Sequence, residues 1–87
     1  MKTSQDPALL RAFAAEIKAR RATLGLSQEN LAFDAGLNRT FIAKLELAAT
    51  SPSLTSLIRL AAGLQVDPVE LMQSLMKRFK KEKIAAV

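Results

Sequence analysis

The stretch that decides the fold of this chain reads Gln28-Glu-Asn-Leu-Ala-Phe-Asp-Ala-Gly36-Leu-Asn38-Arg-Thr-Phe-Ile-Ala-Lys-Leu-Glu-Leu47. Gly36 divides it into two short segments, each with apolar residues at helical spacing. At 100° per residue, Ile42 and Leu45 lie on one flank of the second segment. The opposite flank and the leading end carry Arg39, Thr40, Ala43, Lys44 and Leu47. The stretch therefore predicts two helices joined by a tight turn, the second anchored on one flank and free on the other.

Two helices joined by a short glycine-containing turn make up a helix-turn-helix. Helix end signals extend this pattern to the whole chain, because residues that favour N-caps precede each apolar periodic run. These predicted caps are Asp6, Ser27, Asn38, Ser53 and Asp67. The sequence predicts an all-α fold of five helices over 7–24, 27–36, 38–47, 53–63 and 67–84. The fourth helix is expected to bury Leu54, Leu57, Ile58, Ala61 and Leu64.

The composition limits the chemistry that this chain can perform. Its 87 residues suit one small domain, and it contains no cysteine and no histidine. Thiolate chemistry, imidazole bases and the usual zinc sites are therefore excluded, and no phosphate-cradling glycine loop occurs. We expect a protein that is not an enzyme and that needs no cofactor and no metal.

The positive charge is concentrated near the end of the sequence. Residues 77–83 supply +4 of the formal net charge of +5. We therefore divide the chain into a helix-turn-helix domain, residues 1–76, and a basic helix end or tail, residues 77–87. Charges interrupt residues 1–20 and every other apolar stretch, so no signal peptide or membrane span is predicted, and a cytoplasmic location is expected.

One charged residue falls on an apolar stripe. In the first helix, Arg21 lies between Ile17 and Leu24 on the flank that faces the core. A guanidinium there needs a carboxylate, since an unpaired buried charge costs several kcal/mol. Glu46, at the edge of the buried flank of the third helix, is the best candidate. We expect an Arg21–Glu46 ion pair that sets the angle between these helices.

The last helix has more apolar surface than one small core requires. We expect part of it, Met72, Leu75, Met76 and Phe79, to contact a second copy of the chain. The alternative is that this surface only closes the monomer core. A two-fold homodimer would place two third helices about 34 Å apart, one turn of DNA, and would match a palindromic site.

Three blocks of the sequence together resemble the Cro/C1 (XRE-type) helix-turn-helix family. They are Leu24-Gly-Leu-Ser-Gln-Glu-Asn-Leu-Ala, Ala35-Gly-Leu-Asn-Arg-Thr-Phe-Ile-Ala-Lys-Leu-Glu and Pro52-Ser-Leu-Thr-Ser-Leu-Ile-Arg-Leu-Ala. The resemblance implies a compact five-helix domain of the lambda-repressor-like type, a homodimer that places its third helix in the major groove of double-stranded DNA. It also implies that Gln28 contacts phosphate, that Arg39, Thr40 and Lys44 face the bases, and that Arg21 pairs with Glu46.

The side chains of the third helix suit base recognition. Arginine fits the O6 and N7 atoms of guanine, so Arg39 is expected to specify a G. Thr40 can hydrogen-bond a base or contact a thymine methyl group. Ala43 can also contact a thymine methyl group, and Lys44 can reach guanine or phosphate. Ser27, Gln28 and Asn38 are the candidates for phosphate contacts. The alternative for all of these residues is a solvated helix face or, for Ser27 and Asn38, a helix cap.

The segment after the third helix departs from the family pattern. Glu46-Leu-Ala-Ala-Thr-Ser51 has no glycine and no charge after its first residue, whereas family members often continue with Glu-Arg-Gly. The leading interpretation is a transcriptional repressor or a small autoregulator, such as the controller proteins of restriction-modification systems. Two alternatives stay open. One is an antitoxin that binds a protein partner through its last helix, and the other is a basic helix that attaches to membranes or RNA.

Overall fold

Every helix that the sequence predicts is present, and each begins at a helix-favouring signal. The structure is a computed structural model that describes residues 5–85. Five helices follow one another along the chain: α1 Pro7–Leu24, α2 Gln28–Ala35, α3 Arg39–Glu46, α4 Leu54–Gly63 and α5 Pro68–Ala85. No strand occurs among these described residues.

The helix ends explain why the chain turns where it does. The Asp6 carboxylate accepts hydrogen bonds from the amides of Ala8 and Leu9, and Pro7 takes the first helical position. Gly25 and Gly36 close α1 and α2 in the left-handed conformation, with φ of 69° and 67°. A residue with a Cβ atom is strained there, so these two glycines make the tight returns from α1 to α2 and from α2 to α3 possible.

The core lies where α1, α2, α3 and α4 meet, and α5 closes it from the side of α1. Helix α1 packs against α3 and α5, and α2 packs against α3 and α4. Completely buried side chains mark the centre, among them Ile17, Leu31, Ile42, Leu45, Leu60 and Leu71. Helices α2 and α3 are too short to be stable alone, so this burial fixes their orientation.

The prediction for the buried face of α4 is partly wrong. Ala61 and Leu64 are buried and Leu57 packs against the core, but Leu54 is 76% exposed and Ile58 is 48% exposed. The cause is that α4 is apolar over much more than one face, and the spacing alone does not say which stripe faces inward. Leu54 and Ile58 instead add to the apolar surface of the molecule.

Helix α5 crosses the boundary that the charge pattern suggested. It continues without interruption through residue 76, and two ion pairs hold its second half on α1. The Nε atom of Arg78 lies 2.6 Å from Oε1 of Glu16, and that of Arg11 lies 2.8 Å from Oε1 of Glu82. None of the described helices has the length and apolarity needed to cross a membrane.

Candidate functional site

The outer flank of α3 presents polar side chains on a helix that the core holds firmly. Arg39, Thr40 and Lys44 are exposed and Ala43 is half-buried. On the opposite flank Ile42 and Leu45 are buried. The three polar residues therefore lie together on one free surface, and their position relative to the domain is fixed by the buried flank.

Two of the predicted phosphate-binding residues cap helices. The Ser27 hydroxyl oxygen accepts a hydrogen bond from the amide of Asn30 at 3.0 Å, and the Asn38 amide oxygen accepts one from the amide of Thr40 at 2.7 Å. Both residues are exposed. Capping uses the oxygen atoms as acceptors, so the Ser27 hydroxyl proton and the Asn38 amide protons can still be donated to an anion.

Gln28, the third candidate, has a partner inside the protein. Its Nε2 atom donates to Oε1 of Glu46 at 3.0 Å, which joins the start of α2 to the end of α3. One proton of the side-chain amide is thereby used, and its second proton and its oxygen remain for other contacts. This contact cannot be predicted from the sequence, because a glutamine at the start of a helix is ordinarily solvated.

Arg21 and Glu46 form a bidentate ion pair between α1 and α3. The Nε atom of Arg21 donates to Oε2 of Glu46 at 2.7 Å, and Nη2 donates to Oε1 at 2.9 Å. A third donor, Nη1, reaches the carbonyl of Leu26 at 2.9 Å. Burial alone would raise the pKa of Glu46, but the hydrogen bonds from Arg21 and Gln28 and the charge of Arg21 hold that pKa below its usual value.

A second buried carboxylate, Glu16, was not identified from the sequence. Its side chain is 2% exposed and lies between two arginines, with the Nε atoms of Arg20 and Arg78 each 2.6 Å from one of its oxygens. Desolvation opposes ionisation, yet hydrogen bonds from Arg78, Arg20 and Ser74 lower the pKa of Glu16. The spacing of Glu16 and Arg20 is a usable sequence signal, whereas Arg78 lies too far along the chain to be linked to them by any spacing rule.

Only part of the predicted contact surface on α5 is exposed in the structure. Met72 and Met76 are exposed, but Leu75 is 4% exposed and belongs to the core. Leu75 therefore has to be removed from that surface, because it shares the inward stripe with Leu71. Phe79 is half-buried and packs against the core. Val69 is exposed on the same side of α5 as the two methionines.

The chain is similar to known helix-turn-helix proteins in sequence and in structure. A family model described as helix-turn-helix matches residues 17–71. The solved structure of the wild-type restriction-modification controller protein C.Esp1396I is similar at 33% identity over 84% of this chain and 95% of that chain, with a TM-score of 0.77. The tetramer of C.Esp1396I in complex with its natural 35 base-pair operator matches at 32% identity over 82% of this chain and 93% of that chain, with a TM-score of 0.76.

A second controller protein is also similar. C.AhdI from Aeromonas hydrophila is 37% identical over 71% of this chain and 94% of that chain, with a TM-score of 0.68. A search of curated protein sequences gave no significant match.

Proposed function

Because the chain belongs to the Cro/C1-type helix-turn-helix family of DNA-binding transcription regulators, we propose that it recognises a specific operator in double-stranded DNA through α3. The observation that carries this proposal is the exposed polar flank of α3, which the buried Ile42 and Leu45 hold away from the core. An α-helix presented in this way fits the width of the major groove.

Each side chain of this flank has a proposed role. Arg39, at the N-terminal end of α3, donates two hydrogen bonds to guanine, and Thr40 contacts the neighbouring base pair. Ala43 is small enough for close approach and meets a thymine methyl group. Lys44 lies one turn after Thr40 and reaches a guanine or a phosphate.

Phosphate contacts then fix the position of the domain on the duplex. We assign them to Ser27 and Asn38, whose exposed side chains keep protons to donate while they cap α2 and α3. Gln28 can add a contact through its second amide proton. These contacts set orientation and register, and they do not discriminate between base sequences.

The biological role that we propose is a transcriptional repressor or autoregulator that acts as a homodimer on a palindromic operator. Its support is the similarity to controller proteins, one of which is a tetramer on its operator and was also solved on a 19 base-pair duplex. The exposed Met72 and Met76 are candidates for the contact between the two copies. A two-fold dimer reads two inverted half-sites.

Selection of binding sites from a pool of random duplexes tests this proposal. We expect enrichment of one palindrome whose half-site centres lie about 34 Å apart. The same selection with Arg39→Ala is the control, and it should enrich sites in which one position of each half-site is relaxed. Failure of the unmodified protein to enrich any sequence would contradict the proposal, and enrichment of a single half-site would contradict the homodimer.

A further inference from the structure

Helix α5 carries a second stripe opposite the one that it buries. The inward stripe contains Leu71 and Leu75, and Phe79 continues it. The outward stripe is an exposed face of the helix formed by Val69, Met72, Gln73, Met76, Lys77 and Lys80. Its apolar residues are exposed, with Val69 at 65%, and an exposed patch of this kind on a small protein commonly marks a contact site.

The charged residues of α5 fall into two groups. Arg78 and Glu82 face α1 and are held there by Glu16 and Arg11. In contrast, the other charged residues of the helix are exposed and form no ion pair within residues 5–85: Glu70, Lys77, Lys80, Lys81 and Lys83. At 100° per residue, Glu70 and Lys77 lie on the same flank of the outward stripe, and Lys80 lies near its middle.

We propose that the outward stripe of α5 packs against the same stripe of a second copy, with the two helices antiparallel and the two-fold axis near Gln73. This inference rests on the homodimer of the proposed function and gives that dimer its interface. Glu70 lies about 4.5 Å before Gln73 along the helix axis, and Lys77 lies about 6 Å after it. The two-fold axis therefore brings each Glu70 level with Lys77 of the partner subunit.

The flank on which these residues lie agrees with this pairing. In an antiparallel helix pair, corresponding flanks of the two helices face each other across the seam. Because Glu70 and Lys77 share one flank, the two-fold axis gives two identical Glu70–Lys77 pairs at the edges of the contact.

A parallel arrangement of the two helices is disfavoured by the same charges. It would place Lys80, near the middle of the stripe, against Lys80 of the partner subunit. Like charges in close contact oppose association. The apolar residues allow either direction, since the methionines are unbranched and fill irregular gaps, so the charges select the antiparallel direction.

Exchange of the two charges tests this inference on the full-length chain. We expect Glu70→Lys and Lys77→Glu each to weaken the homodimer about tenfold or more at low salt, because each creates two like-charged pairs per dimer. An equimolar mixture of the two variants should associate about as tightly as the unmodified protein, because all pairs across the mixed interface are then opposite in charge. Sedimentation equilibrium measures the dissociation constants.

The matched control is Lys81→Glu, which makes the same charge change on the same helix outside the proposed pairs. It should leave dimerisation within about twofold of the unmodified protein. All exchanged side chains are exposed, and thermal unfolding verifies that the variants fold. A dimer that tolerates both single exchanges, or a mixture that does not recover, would overturn this interface and leave the proposed DNA binding intact. A chain that stays monomeric alone and on its selected site would instead remove the homodimer itself.

Discussion

Arg21 and Glu46 are joined by two hydrogen bonds of 2.7 and 2.9 Å between the end of α1 and the last residue of α3. The same carboxylate also accepts from Gln28 at the start of α2. Glu46 thus connects three helices, and its side chain is 5% exposed. Since α3 is only eight residues long, this junction and the buried Ile42 and Leu45 determine its angle.

Replacement of Glu46 by alanine should destabilise the fold strongly. The substitution leaves a partly buried guanidinium and the Gln28 amide without their acceptor, and we expect a loss of about 2 to 4 kcal/mol in the free energy of unfolding. Urea unfolding measures this loss. Glu29→Ala, which removes an exposed carboxylate of α2, is the control and should change stability by less than about 0.5 kcal/mol. Equal stability of Glu46→Ala and the unmodified protein would show that the junction contributes nothing.

Stability should fall in acid because two carboxyl groups have lowered pKa values. Glu16 and Glu46 are paired when folded, whereas in the unfolded chain each titrates near the ordinary value of 4.5. Their contribution is complete above that pH and is lost as the pH falls through the lower pKa values of the folded protein. Urea unfolding from pH 7 to pH 3 should show this decline.

The double variant Glu16→Gln/Glu46→Gln is the control for the acid effect. It should be less stable than the unmodified protein at pH 7 and should depend less on pH below 4.5. An acid decline that is equally steep in this variant would assign the effect to other groups.

Arg39→Ala should reduce affinity for the selected operator more than affinity for random duplexes. The loss of a two-pronged contact with guanine is expected to cost about 1 to 3 kcal/mol on the operator and to relax one base position per half-site. Fluorescence anisotropy on both duplexes measures the difference. Lys81→Ala removes a positive charge outside α3 and should reduce the affinity for both duplexes by the same factor. The proposed role of Arg39 is wrong if Arg39→Ala, like Lys81→Ala, reduces the affinity for the operator and for random duplexes equally.

Gly63→Ala should destabilise the contact between α2 and α4. A Cβ atom at Gly63 would lie 2.9 Å from the Cβ atom of Ala35 and 3.1 Å from Cδ1 of Leu31, closer than packed carbons tolerate. We expect a net loss of about 1 to 3 kcal/mol, although alanine is the better helix former. Thermal unfolding measures this loss. In an Ala35→Gly background, where the Cβ atom of residue 35 is absent, the additional loss caused by Gly63→Ala should be smaller than in the unmodified protein. A stabilised Gly63→Ala protein would contradict this close approach.

Ala48→Gly should stabilise the loop between α3 and α4. Ala48 has a φ of 58°, in the left-handed region that costs a residue with a Cβ atom about 1 kcal/mol. Glycine adopts this conformation without strain, so a gain of up to about 1 kcal/mol is expected in urea unfolding. Ala49→Gly is the control, since Ala49 has no positive φ, and it should bring no gain. Identical effects at the two positions would rule out strain at Ala48.

The helix boundaries could be predicted because they depend on local chemistry. Asp6, Ser27, Asn38 and Ser53 each cap the helix that follows, as their types and positions indicate. The family could be identified for a related reason, since its pattern is a series of local blocks. The left-handed conformation of Ala48 could not be foreseen, because alanine gives no signal for it.

Contacts between distant segments were harder to predict than boundaries. Arg21 and Glu46 could be matched because one buried charge requires another, but Arg78 carries no sign of its partner Glu16, 62 positions away. The surfaces predicted for Leu54 and Leu75 are both wrong for the same reason. Both helices have apolar residues on more than one stripe, and only the packed neighbours decide which stripe faces inward.

The pairing of Arg78 with Glu16 changes how the basic end of α5 should be studied. A chain that ends after Met76 would lose more than the positive charge of residues 77–83. It would leave Arg20 as the one arginine paired with Glu16, and it would remove Phe79, which packs against the core. Truncation would therefore combine a loss of charge with a loss of structure, whereas neutralising Lys81 alone, which is exposed and lies outside the proposed pairs, would remove charge only.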